Sequence, residues 1–140
     1  MMKIVILFLS LLYSAWLSSQ IVPATEASLK NFTAYSMEGT NPFGNELRKA
    51  FANTSVKVLE EGKVTNIRFT SSLIGNDVID FVVTNAVKRI KPDYTTYEVQ
   101  AFNAKDPSII KKIEQIYLVY SGSQLKRFVI IRNDGAAEFY

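Results

Sequence analysis

Two periodicities divide the chain. Around residues 54–70 apolar and polar positions alternate: Val56 and Val58 with Ser55 and Lys57, then Ile67 and Phe69 with Asn66 and Arg68. Two such runs flanking a turn that contains Gly62 predict a β-hairpin. The same reading predicts a second hairpin from residues 116–120 and 125–131 across Ser121, Gly122, Ser123 and Gln124, and a single strand over 95–102 with Tyr97, Val99 and Ala101 on one face. Elsewhere the spacing becomes three or four. Ile79, Val82, Val83, Ala86, Val87 and Ile90 form one helical stripe. Asn76 or Asp77 can cap this stretch, Asp80 falls in its first turn, Lys88 and Arg89 in its last, and Pro92 ends it. Its many β-branched residues lower helix propensity, so such a helix would depend on packing against a sheet.

Shorter elements complete the pattern. Asn41 and Pro42 precede Leu47, Ala50 and Phe51 at helical spacing, which predicts a short N-terminal helix. Asp106 and Pro107 before Ser108, Ile109 and Ile110 read as the start of a helical turn. Residues from Asp134 onward either add a short strand or fray. Residues 23–40 show no clear period and are read as a flexible leader. The predicted fold class is α+β: a small antiparallel sheet packed on one face by a long central helix, with a short N-terminal helix. The domain organisation is a segment 1–22, a leader 23–40 and a single α+β domain over 41–140.

The first segment carries Lys3 ahead of an apolar run beginning at Ile4, and no charge interrupts the chain until Glu26. A basic start before a short apolar core is the pattern of a secretory signal peptide, or of an N-terminal anchor if uncleaved. A periplasmic or secreted location follows as an expectation, and a membrane association only if the segment is retained. The chain has 140 residues and a formal charge of +3. Its basic residues occur in short groups separated by acidic ones, which gives no reason to expect nucleic acid.

Composition removes most chemistry. With no histidine and no cysteine, the chain offers no Ser-His-Asp triad, no thiol nucleophile and no histidine-held zinc. Ser108 and Lys111 have the bare Ser-x-x-Lys spacing without the companion motifs of that class. Asp77 and Asp80 are accounted for by helix capping, and Glu60 and Glu61 by a solvated turn. Glycines occur singly, so no phosphate-binding loop is spelled out. No catalytic residue, cofactor or metal is expected, and the chain is read as a non-enzyme.

The hairpin and the stretch after it resemble a known family. The run from Val56 through Gly62-Lys63-Val64 to Ser71-Ser72 is similar to the first hairpin of TonB-like C-terminal domains. Ile79-Asp80, Ala86-Val87 and Pro92 fall where that family has Leu-Asp, Ala-Val and a closing proline. TolA C-terminal domains are the second comparison. The resemblance spans about residues 41–92. It implies a helix-on-sheet fold and a non-catalytic adaptor of the cell envelope that binds a protein partner through strand or surface pairing.

The leading expectation is therefore a secreted or periplasmic protein–protein interaction module. The alternative is a secreted small-ligand-binding or inhibitor module on the same helix-on-sheet scaffold. Tyr117, Tyr120, Lys126, Arg127 and Phe128, on the last predicted hairpin, are the candidate partner contacts, because aromatics give large contact area with a polar handle. An available C-terminal strand would recruit a partner by β-augmentation or pair with its own copy in a homodimer.

Overall fold

The structure, a computed structural model, describes residues 22–36 and 45–140. Eight antiparallel strands account for most of them: β1 (Thr25–Ser36), β2 (Glu46–Glu61), β3 (Val64–Ser71), β4 (Val78–Ile90), β5 (Thr95–Asn103), β6 (Ile113–Ser121), β7 (Gln124–Arg132) and β8 (Gly135–Phe139). Each strand pairs with the next, and β8 returns to β1, so the sheet closes into an up-and-down barrel. Among the described residues the only helical segment is a 3₁₀ turn, Ser72–Ile74, between β3 and β4.

Closure runs from Phe32 opposite Phe139 to Ser36 opposite Gly135. It is extended by Tyr140, whose carbonyl accepts from the Asn31 amide at 2.8 Å while its own amide donates to the Asn31 carbonyl at 3.1 Å. Closing the sheet gives every strand two bonded neighbours.

Period-two alternation then separates inside from outside. On β2, Ala52, Thr54, Val56 and Val58 are buried and Asn53, Ser55 and Lys57 are exposed. On β3, Ile67 and Phe69 point in and Arg68 points out, bonded to Asp80 of β4 at 2.9 Å. Apolar inside and charged outside is the reverse of a lipid-facing barrel, whose outer surface carries an apolar band. The described walls are those of a barrel bathed in water.

Aromatic side chains fill the middle of the interior. Phe69 stacks on Phe128 at 5.3 Å and meets the edge of Phe139 at 4.9 Å, while Phe32 lies 5.2 Å from Phe139. Toward the other end Tyr97 and Tyr120 meet edge to face at 5.5 Å, and the Tyr120 hydroxyl shares a hydrogen bond with the Thr25 hydroxyl at 2.7 Å. Ile116, Leu118, Val56, Val58 and Val99 pack around them. Aromatic pairs of this kind add about 0.5–1.5 kcal/mol each beyond burial.

The α+β expectation and the TonB/TolA resemblance are both overturned by this architecture. The long central helix does not exist: residues 78–90 are β4. Its apolar residues mimic a helical stripe because the strand is bulged. Val83 pairs with Ala101 and Asn85 with Gln100, which leaves Thr84 as an extra residue with its hydroxyl on the Gln100 carbonyl at 3.1 Å. The inward set therefore runs Phe81, Val83, then Ala86, and the step of three reproduces helical spacing. The β-branched side chains that weaken a helix here suit a strand.

The expected short helix around Leu47, Ala50 and Phe51 is likewise the first half of β2, where two register shifts against β1 disturb the alternation. Residues 25–36, read as leader, form β1, whose alternation those same shifts break. The expected helical turn after Asp106 is a loop. Both hairpins are present, turning at Gly62 and Gly122 with φ of 66° and 60°, as is the strand over 95–102; residues 135–139 add β8. The signal-peptide or anchor expectation falls outside the described residues except at Val22, which is buried in the core. Asn41 and Pro42 also lie outside them.

Two substitutions test the closure. Phe139→Ala removes the ring shared by Phe32, Phe69 and Phe128 and should cost about 3–5 kcal/mol in denaturant unfolding. A loss near zero would mean that the seam does not hold the barrel. Gly135→Ala should destabilise by about 1–3 kcal/mol, because a Cβ there would stand 2.2 Å from the Tyr35 carbonyl oxygen across the seam. An unchanged unfolding midpoint would contradict that close approach.

Candidate functional site

The aromatic layer does not fill the barrel to both ends. Above Phe32, Phe69, Phe81 and Phe139 a cavity of about 430 Å³ remains, walled by β1, β2, β3, β4, β7 and β8. The space exists because small side chains face each other across the strands that close the sheet. Ala34 pairs with Ala137, and Ala137 with Ile130, at the level just beyond the phenylalanines. Two alanines where the next layer down has Phe32 and Phe139 leave room for a guest.

The lining is almost wholly apolar. Its polar members are Ser71 and, at the mouth, Arg132 and Asp134. Ser71 is fully buried, and its hydroxyl oxygen accepts from the Thr54 hydroxyl at 3.0 Å and from the Leu73 amide at 3.3 Å, so it caps the 3₁₀ turn at the rim. Arg132 directs its Nε to the carboxylate of Glu114 at 3.3 Å, a buried acid on the inward face of β6, so the cation at the mouth is paired.

The connections after β3, β5 and β7 lie at the same end of the barrel as the mouth. The first two, and the strand starts at this end, carry exposed apolar side chains. Leu47 at the start of β2 is 68% exposed, and Leu73, Val78 and Ile113 are partly so. The loop after β5, residues 104–112, bears Ile109 and Ile110 entirely in solvent. Asp106 organises that loop: its Oδ1 accepts from the Ser108 amide at 2.9 Å and its Oδ2 from the Lys112 amide at 3.1 Å. Those backbone donors hold its carboxyl down to about 2. The aspartate expected to cap a helix thus caps two amides without one.

The candidate contacts Tyr117, Tyr120, Lys126, Arg127 and Phe128 do not meet at this cavity. Phe128 points inward and is fully buried beneath the phenylalanine layer. Tyr120 is core, and burial pushes its hydroxyl up. Tyr117, Lys126 and Arg127 lie on the outer wall of β6 and β7. There they line a depression of about 550 Å³ with Thr96, Glu98 and Val119, to which Tyr120 contributes an edge. Burial and the neighbouring Glu98 raise the Tyr117 hydroxyl.

The acids on that outer wall are already matched. Glu98 accepts from Arg89 Nε at 2.6 Å, and Glu138, only 4% exposed, accepts from Arg127 Nη1 at 3.2 Å and from the Tyr35 hydroxyl at 3.1 Å. The depression is larger than the inner cavity but is backed by one face of the sheet. The inner cavity is walled by six strands, opens to solvent at its mouth, and is lined mainly by rings and aliphatic carbons, the surroundings that suit an apolar guest. Among the described residues no group of three His, Cys, Asp or Glu side chains is placed to hold a metal.

Sequence reasoning missed this site. Its signals were small residues, Ala34 and Ala137, opposite aromatic ones, and isoleucines at a loop tip; neither has a motif. No family model, no curated protein and no solved structure matches the chain.

Asp106 supplies a pH test of the rim. Its pKa is depressed in the folded state, so the two amide bonds are at full strength above the ordinary carboxylate range and weaken as pH falls through about 2. The side-chain carboxyl carbon, followed by NMR, should titrate with a midpoint near that value. A midpoint in the ordinary carboxylate range would show that the loop is not organised this way.

Proposed function

We propose that the barrel is a non-catalytic binding module whose end cavity holds a small apolar or amphipathic molecule. The observation that carries this reading is the cavity itself: about 430 Å³ of apolar space, floored by four phenylalanines and open at one end. That volume lies within the range of about 300–1,000 Å³ usual for small-molecule sites. Transfer of an apolar guest from water into such a space gains about 25 cal/mol per Å² of apolar surface buried. Arg132, paired with Glu114, and Asp134 make the mouth polar, which suits a guest with a polar head left near solvent.

The protein–protein adaptor reading has less support. Its strand-pairing route needed a free C-terminal edge, and β8 is bonded to β7 on one side and β1 on the other. A secreted or periplasmic location, expected from the basic and then apolar start, belongs with the binding proposal.

The test uses 1-anilinonaphthalene-8-sulfonate as the probe and a long-chain fatty acid as competitor. The wild-type chain should enhance the probe's emission, and the fatty acid should displace it. Ala137→Leu puts a branched side chain into the space beside Ala34 and should weaken probe binding by at least about tenfold, the effect of losing ~1.4 kcal/mol. Its unfolding midpoint should stay near that of wild type, since the added carbons enter empty volume. Equal binding by wild type and a folded Ala137→Leu variant would sink the cavity as the site.

A further inference from the structure

The loop after β5 is built to hold two isoleucines away from the protein. Asn103 Oδ1 accepts from the Lys105 amide at 3.0 Å, and the Ala104 amide donates to the Asp80 carbonyl at 2.8 Å, which ties the loop's start to β4. Asp106 accepts from Ser108 and Lys112, and the Lys111 ammonium donates to the Asp106 carbonyl. Polar bonds of the loop's own backbone therefore set its shape, and no apolar contact is used to hold the tip. Ile109 and Ile110 are 102% and 89% exposed. A soluble barrel gains nothing from two adjacent branched aliphatic side chains in water.

Charge identifies what they meet. Within eight residues the loop carries Lys105, Lys111 and Lys112 against one acid, Asp106, whose two carboxylate oxygens are both taken by amides. Lys105 and Lys112 are exposed beside the apolar tip, while Lys111 lies 5.9 Å from the centre of the Phe102 ring. An apolar tip flanked by cations is the composition that enters the headgroup boundary of an anionic bilayer. The other exposed apolar groups at this end, Leu47, Leu73, Val78 and Ile113, sit around the same mouth on separate elements. A fluid lipid surface can accept such a dispersed ring at once, whereas a folded partner would need a matching socket for each.

We propose that the open end of the barrel docks on an anionic lipid bilayer, with Ile109 and Ile110 inserted at the headgroup–acyl boundary and Lys105 and Lys112 against the lipid phosphates. Docking there brings the cavity mouth to the surface from which an apolar guest would come. The docking stands without that guest, because it is read in the absence of any cavity ligand, and cavity binding is read in the absence of vesicles.

The chain has no cysteine, so Ile109→Cys carries a single environment-sensitive nitrobenzoxadiazole label. The partners are vesicles of phosphatidylcholine alone or mixed with phosphatidylglycerol in equal parts. The label should shift to the blue and brighten several-fold on the anionic vesicles and change little on the neutral ones. A label at Ser55→Cys, on the outer wall, should stay in water on both, which separates docking of this loop from tethering by residues 1–21. Adding Lys105→Gln and Lys112→Gln should abolish the response at physiological salt, and added salt should weaken it in the parent. A label at 109 that remains in water on anionic vesicles overturns the proposal. So does an equal response on neutral vesicles, or shielding that appears only as protein concentration rises, which would assign the tip to a second copy of the chain.

Discussion

The structure depends on one seam. Without the bonds between β1 and β8 the eight strands would form an open sheet with two unpaired edges, and the apolar faces of β2, β3 and β5 would have nothing to cover them. With the seam made, every inward side chain acquires neighbours across the barrel, and Phe139 on β8 can reach Phe69 on β3. The seam is also short, since β8 has five residues. It is reinforced by the Tyr140–Asn31 backbone pair and by the approach of Gly135 to Tyr35 that only a residue without a Cβ permits.

Closure brings its own strain, and the bulges relieve it. A flat ladder cannot curl into a narrow barrel, and an extra residue on one strand sharpens twist and bend locally. Register shifts occur where β1 meets β2, within β4 against β5, and where β6 meets β7. Each also moves the inward set by one position. Hence the interior can carry large rings at its middle and small residues near the mouth. Stability and binding are thereby divided along the barrel axis: the aromatic layer and the aliphatic residues beneath it supply the core, and the alanine level leaves the space.

The two ends differ for the same reason. Tight turns at Gly62 and Gly122 lie at one end, where Tyr97 and Tyr120 fill the interior. At the other, the loop after β5 and the strand starts beside it expose aliphatic groups around an opening, and a carboxylate with both oxygens bonded shapes that loop. Polar groups on the outer wall are satisfied in pairs, as Glu138 is by Arg127 and Tyr35, so burial there does not leave an uncompensated charge.

Strands with unbroken alternation were legible in the chain, and so were their turns. Val56 with Val58, Ile67 with Phe69, and Tyr97, Val99 and Ala101 face inward as their period requires, because that signal is local and survives any choice of partner. The glycines at 62 and 122 mark turns because positive φ is a property of the residue. The absence of histidine and cysteine limits the chemistry in any fold. What only the tertiary structure decided was the partner of each strand and the place of each bulge. At Thr84 one extra residue turned a strand's alternation into a helix-like stripe, and at β1 two shifts erased it. The cavity was equally hidden, for Ala34 and Ala137 lie 103 residues apart in the chain and become neighbours only where β1 and β8 meet. Local patterning sets which faces must be buried; the geometry of closing a sheet on itself sets what they are buried against, and how much space is left.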